Sequence, residues 1–246
     1  MPKITHFAPE TCTLCPRQCR ADRAAGRIGF CGAGGALKAA RAALHFWEEP
    51  CISGTRGSGT VFFSGCTLKC CFCQNYPISA EGLGKEISVG HLAEIFLDLQ
   101  AQGAHNINLV TPGQWQPWII AALDLARAQG LHLPIVCNTG GYERVEIVRE
   151  LTDYVDIWLP DLKYYDTALS SRYSQAKNYF DHASEAISQM VRQTGAPVLD
   201  SDGNVDKDAS RRVEVKFRLK DDEMINELNQ IMNTDKTSDS EKSGSN

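Results

Sequence analysis

Residues 60–75 read TVFFSGCTLKCCFCQN. The run 60–65 is rich in β-branched and aromatic residues, so it reads as a strand, and it ends directly on Cys66. Cys66, Cys70 and Cys73 then follow at x3 and x2 spacing within one loop. A [4Fe–4S] cluster normally takes four cysteine thiolates. Three in one tight loop leave one iron without a protein ligand. Zinc prefers four ligands and often draws them from paired cysteine arms, so a zinc loop is the competing reading. Cys71 adjoins Cys70, and adjacent residues do not usually reach the same cluster face.

Downstream of this loop, apolar runs alternate with helical patterns. Leu92, Ile95, Phe96 and Leu99 fall at i, i+3, i+4 and i+7, which predicts a helix over 89–102. The runs 107–111, 133–138 and 155–162 read as buried strands, and 118–129 and 143–151 as helices, the first of these closed by Gly130. Strands separated by helices of roughly ten residues predict βαβ crossovers and a parallel sheet. The fold class is therefore α/β.

The chain has 246 residues, 43% hydrophobic and 22% charged, which fits neither a disordered nor a fibrous class. A net charge of -5 argues against a general nucleic-acid binder. No apolar run approaches the roughly 20 residues that span a bilayer, so no membrane partner is expected. The opening MPKITHFAPETC lacks a secretory apolar stretch. The expectation is a cytoplasmic protein with reduced thiols, whose cysteines serve as ligands or catalytic groups. Nine of the ten cysteines lie in the first 73 residues. Cys12-x2-Cys15-x3-Cys19-x11-Cys31 suggests a structural metal site, with zinc, a second iron–sulfur cluster and free buried thiols all open. Cys51 and Cys137 read as small core hydrophobes. His45, Glu48 and Glu49 either line the mouth of a site or form a solvated turn.

Residues 205–246 hold 18 charged side chains in 42. Val213, Val215, Phe217 and Leu219 alternate with charges, as in a half-exposed strand, and Asp221 caps a helix carrying Met224, Ile225, Leu228, Ile231 and Met232. The last residues cannot bury enough apolar surface to order. The organisation read from composition is a cysteine-rich segment over 1–50, an α/β body over 51–203, a strand–helix tail over 204–233 and disorder over 234–246.

The cysteine triplet, with Phe72 before its last member, resembles the signature of the radical S-adenosylmethionine superfamily. CTLCPRQC, GFCG, HFWEEPCISGTRGSGTVFFSGC, CQNYPIS, INLVTP and LPDLKYYD are similar to segments of proteins related to pyruvate formate-lyase activating enzyme, from about residue 10 to about residue 203. The resemblance implies a partial (β/α)6 barrel, here shortened to about four strands and followed by a heterologous charged tail. It implies that Cys66, Cys70 and Cys73 each bind one iron of a [4Fe–4S] cluster. The fourth iron would chelate the amino and carboxylate groups of S-adenosylmethionine. Reductive cleavage would give methionine and a 5′-deoxyadenosyl radical that abstracts hydrogen. The implied partners are a flavodoxin- or ferredoxin-type reductant and a glycyl-radical enzyme, with a small molecule or another protein site as the alternative substrate.

The resemblance also assigns site residues. Asp161 and Lys163, in LPDLK, would hold S-adenosylmethionine, the alternative being an ion pair on a surface turn. Independently of the resemblance, Asn138 and Thr139, in VCNTGGYE, end a strand where Gly140 and Gly141 let the backbone approach a ligand closely, which suggests a cofactor-facing loop, the alternative being a plain strand-to-helix turn. Thr111 ends the strand after which many radical S-adenosylmethionine enzymes carry Gly-Gly-Glu for the methionine amino group. Here the segment reads TPGQW, without the acid, and Thr111 is placed to help. Relatives continue with two more barrel strands, the first bearing Arg-His-Leu. In this chain VDKDASRRVEVKFRLKDDEM stands there instead and resembles the end of an outer-membrane-protein-A-like domain. Impaired catalysis is the expectation that follows.

Overall fold

The structure is a computed structural model that describes residues 7–46, 50–196, 198–202, 206 and 211–217. The chain divides into two units, Met1–Lys216 and Phe217–Asn246, and the second falls, but for Phe217, outside the described residues. Glu48, Glu49, Leu219, the helix expected from Asp221 and the stretch 234–246 lie outside them as well.

The first described elements are a strand, Lys38–His45 (β1), and one helical turn, Pro50–Ser53 (α1). Ser58–Phe63 (β2), the turn Tyr76–Ser79 (α2) and the short strand Lys85–Glu86 (β3) follow. Helices and strands then alternate through Val89–Ala101 (α3), Ile107–Val110 (β4), Gln116–Ala128 (α4) and Ile135–Thr139 (β5). Val145–Glu150 (α5), Ile157–Leu162 (β6), Thr167–Ser174 (α6), Tyr179–Thr194 (α7), Arg212–Val213 (β7) and Lys216–Phe217 (β8) come last among the described residues.

One sheet runs in the order β3-β1-β2-β4-β5-β6-β7. Neighbours from β2 to β7 pair in parallel, whereas β1 is antiparallel to both β2 and β3. The sheet is open, with β3 and β7 at its ends. β2 is buried along its whole length, as a strand covered on both faces must be. The α/β alternation agrees with the four parallel strands expected from sequence. β1 was not among them. Its sequence, KAARAALH, is alanine-rich, and alanine favours helices over strands. Pairing from Ala39 opposite Phe63 to His45 opposite Ser58 overrides that preference.

The helices bury apolar faces against the sheet. Ser88 caps α3 by accepting from the His91 amide at 3.0 Å, and Val89, Leu92, Ala93, Phe96 and Leu99 face inward. α4 buries Trp118, Ile119, Ala122, Leu123 and Ala126, and α7 buries Tyr179, Ala183, Ala186 and Met190. Phe63, Phe96, Ile107, Leu109, Trp115 and Trp158 fill the centre, each contributing roughly 1.5–3 kcal/mol by leaving water. At the far edge Arg212 and Val213 pair with Ile157 and Trp158, while Arg212 donates to Glu214 at 2.6 Å and to the Cys51 carbonyl at 3.2 Å. Among the described residues no helix is long and apolar enough to cross a membrane.

Register positions everything that follows. Phe62 pairs with Val110, Val110 with Asn138, and Thr139 with Pro160. The carboxyl ends of β2, β4, β5 and β6 therefore form one rim, and open α/β sheets take ligands at that end. His45 stands opposite Ser58, at the amino end of β2, away from the rim.

Candidate functional site

The loop that leaves β2 carries the three cysteines. Its first residue after the strand end is tied by Trp115, whose indole donates to the Ser64 carbonyl at 2.8 Å. Gln114 Nε2 donates to the carbonyls of Ser64, Gly65 and Thr111, so the loops after β2 and β4 are fastened together. Gly65 adopts φ +82°, and a Cβ there would lie 2.4 Å from the Cys31 carbonyl oxygen. Only glycine permits both the conformation and the approach.

Each of the three sulfurs has a donor. The Leu68 amide points at Cys66 Sγ (3.4 Å), the Ser174 hydroxyl at Cys70 Sγ (2.9 Å) and the Ser79 hydroxyl at Cys73 Sγ (3.2 Å). Tyr164 stands behind Ser174 at 2.7 Å, making a Tyr164–Ser174–Cys70 chain. Burial, reinforced by the nearby Cys70 and Cys73, pushes the Cys66 thiol up to about 12 against the Leu68 hydrogen bond. Burial also raises Cys70, opposed by Ser174 and by the Lys163 ammonium. Without a metal the Cys66 and Cys70 thiols are therefore kept protonated, and metal binding would displace those protons. Cys71 is exposed, and its amide donates to the Tyr173 carbonyl at 2.9 Å.

The residues expected around S-adenosylmethionine lie on the rim. Asp161 and Lys163 form an ion pair whose side chains are only 17% and 13% exposed. That is not a solvated surface pair, and Lys163 is near enough to Cys70 to oppose the rise of its thiol. The Tyr179 hydroxyl accepts from the Lys163 amide at 2.9 Å and faces the carbonyls of Asp161 (2.8 Å) and Gly140 (2.9 Å). It locks the β5 and β6 ends to each other. Asn138 accepts from the Thr111 amide through its backbone carbonyl at 2.8 Å. Thr111 itself has φ +55°, a region that β-branched residues rarely enter. Thr139 turns its hydroxyl inward and donates to Glu143 Oε1 at 2.5 Å.

Cys12, Cys15 and Cys31 are buried and Cys19 is exposed. Cys19 and Cys31 flank Gly29, whose Cβ would lie 3.4 and 3.5 Å from their sulfurs. Burial takes Cys15 up to about 12, with the Cys31 and Cys12 thiols adding to the rise. Burial likewise raises Cys31. In Cys19 burial is outweighed by hydrogen bonds from the Ala21 and Phe30 backbone and from Cys12, which hold the thiol below its ordinary range. The four thiols gather into one group, yet among the described residues no three His, Cys, Asp or Glu side chains converge as ligands of a single metal ion. A cluster that gives each thiol its own iron does not require such convergence.

This segment also buttresses the triplet. The Cys66 amide donates to the Cys31 carbonyl at 3.0 Å. Arg17 reaches the Thr67 carbonyl at 3.0 Å and the carbonyls of Ser174 (3.2 Å) and Gln175. Cys137 is buried in β5 as expected, whereas Cys51 is only half-buried. Burial and a hydrogen bond with Glu214 raise Cys51 to about 11. Glu143, Ser174, Tyr179 and Arg17 were missed by the sequence reading, because their partners are distant in the chain.

No family model matches the chain. It is 31% identical over 179 residues to the uncharacterized protein MJ0674 of Methanocaldococcus jannaschii, a match covering 70% of this chain and 51% of that protein. The chain spans about half the length of the curated relative it matches.

Proposed function

We propose that the chain is a radical S-adenosylmethionine enzyme of the glycyl-radical activating type, working in a reducing, cytoplasmic setting on a partial (β/α)6 barrel. One observation carries this reading: three thiols in one loop, each with a hydrogen-bond donor, beside the aligned ends of β4, β5 and β6. Cys66, Cys70 and Cys73 would hold a [4Fe–4S] cluster, which when bound supplies the electron that cleaves S-adenosylmethionine for hydrogen abstraction. The donor set suits that group, since buried thiols with little compensating charge are satisfied by cationic iron. Cys12, Cys15, Cys19 and Cys31 would hold a second metal, as zinc or as a cluster.

The chain's own residues bind and orient. Ser174, backed by Tyr164, fixes the Cys70 side chain and donates to its sulfur. Lys163 and Asp161, paired with each other in the free chain, would exchange that pairing for the charges of a zwitterionic ligand, in a position Tyr179 keeps rigid. The protein's share of such chemistry is positioning and exclusion of side reactions. The hydrogen donor would be a backbone glycine of a partner enzyme, and the electron donor a flavodoxin- or ferredoxin-type protein.

Anaerobic reconstitution with iron and sulfide, followed by reduction in the presence of S-adenosylmethionine, tests the reading. Methionine and 5′-deoxyadenosine should appear in equal amounts. Cys66→Ala, Cys70→Ala and Cys73→Ala should each abolish both products, and Cys71→Ala should not. A chain that takes up no cluster, or takes one up and yields no 5′-deoxyadenosine, overturns it. A glycyl-radical doublet in electron paramagnetic resonance on adding a candidate partner would establish the substrate class.

A further inference from the structure

The loop after β4 runs Thr111-Pro112-Gly113 and has no acid of its own. Glu143, from the loop after β5, reaches into it. Its side chain is buried, and while Oε1 accepts from Thr139, Oε2 has no hydrogen-bond partner. A Cβ on Gly113 would lie 2.6 Å from Oε2 and 3.1 Å from Oε1. The carboxyl group therefore occupies the volume that a side chain at 113 would need.

Leaving a buried oxygen unpaired is costly, and more so for a charged group. Arg144 pairs with Glu146 at 3.1 Å and Lys163 with Asp161, and what acts on the Glu143 carboxyl is burial and the Thr139 hydrogen bond. Thr111, two residues from Gly113, is held at φ +55° by the Asn138 carbonyl and the Gln114 amide. Strained backbone and an orphaned acid thus meet at the rim, a combination found at ligand-binding positions.

We propose that Glu143 receives the ammonium of the amino-acid half of S-adenosylmethionine, an acid delivered from the β5 loop into the place where the β4 loop lacks one. This assignment rests on the functional reading above. Oε2 is the free acceptor, Thr139 fixes the carboxyl rotamer through Oε1, and Gly113 leaves the room. Without a cation, burial pushes the Glu143 carboxyl up to about 7. An ammonium beside Oε2 would hold it ionised.

Equilibrium dialysis of labelled S-adenosylmethionine against the reconstituted full chain provides the test. Binding of 5′-deoxyadenosine, which lacks the amino-acid half, serves as the control. Glu143→Gln should weaken S-adenosylmethionine binding roughly 10- to 100-fold, with iron content and 5′-deoxyadenosine binding unchanged. Gly113→Ala keeps the acid but takes its space, and should show the same selective loss. Wild-type affinity in both variants, or equal loss of both ligands, overturns the assignment. If Glu143→Gln fails to take up its cluster, Gly113→Ala and Glu143→Asp decide by the same criterion. A wild-type chain with no affinity for S-adenosylmethionine would instead remove the underlying functional reading.

Discussion

Glu143 carries a stability signature that can be measured without any ligand. Burial lifts its carboxyl from an ordinary 4.5 to about 7, against the lowering effect of the Thr139 hydrogen bond. The folded chain therefore holds a proton that the unfolded chain has released. The stability this contributes is fully present below about 4.5 and falls away as pH rises to about 7. The loss amounts to about 3 kcal/mol. Subtracting denaturant midpoints of Glu143→Gln from wild type across that window should isolate this slope, and a flat difference would show an ordinary carboxyl. The three cysteines of the loop were legible because their meaning lies in spacing along eight residues. Glu143 was not. Its significance depends on Gly113, thirty positions earlier, and on a rim that only pairing of β4 with β5 creates.

At the scale of elements, β2, β4, β5 and β6 were readable because each is a short apolar run with one covering pattern. β1 and α7 were not, for opposite reasons. β1 is alanine-rich and becomes a strand only through its partner. α7 is clearly amphipathic but polar on average, with two alanines among its inward residues, so no apolar run announces it in sequence. Yet α7 supplies Tyr179, whose single hydroxyl serves three backbone groups of the β5 and β6 loops. Tyr179→Phe keeps the packing and strands those groups. A loss of about 1–3 kcal/mol is expected. Amide exchange should quicken at Lys163, with β2 and β4 unaffected. Exchange that changes everywhere alike would mean a global rather than a local role.

For the first unit as a whole, the cysteine-rich segment works as a brace. Arg17 is its longest reach, spanning to Thr67, Ser174 and Gln175 while its guanidinium rests 4.1 Å from the Phe30 ring. Arg144 returns the tie by donating to the Thr13 carbonyl at 2.6 Å. Arg17→Ala should therefore loosen the triplet loop specifically. The amides of Lys69 and Cys71, which donate to Ser174 and Tyr173, should exchange roughly tenfold faster or more, corresponding to about 1.4 kcal/mol of lost local stability. Equal exchange in variant and wild type would show that the brace is not needed to hold the loop.

The hydroxyl that fixes Cys70 belongs to a residue 104 positions later in the chain. During synthesis at roughly 5–20 residues per second, the triplet therefore leaves the ribosome about 5–20 s before Ser174 does. For that interval the thiols are unsheltered, open to oxygen and to any metal that passes. On the function proposed above, a cluster loaded before α6 is made would lack the Ser174 hydrogen bond to Cys70.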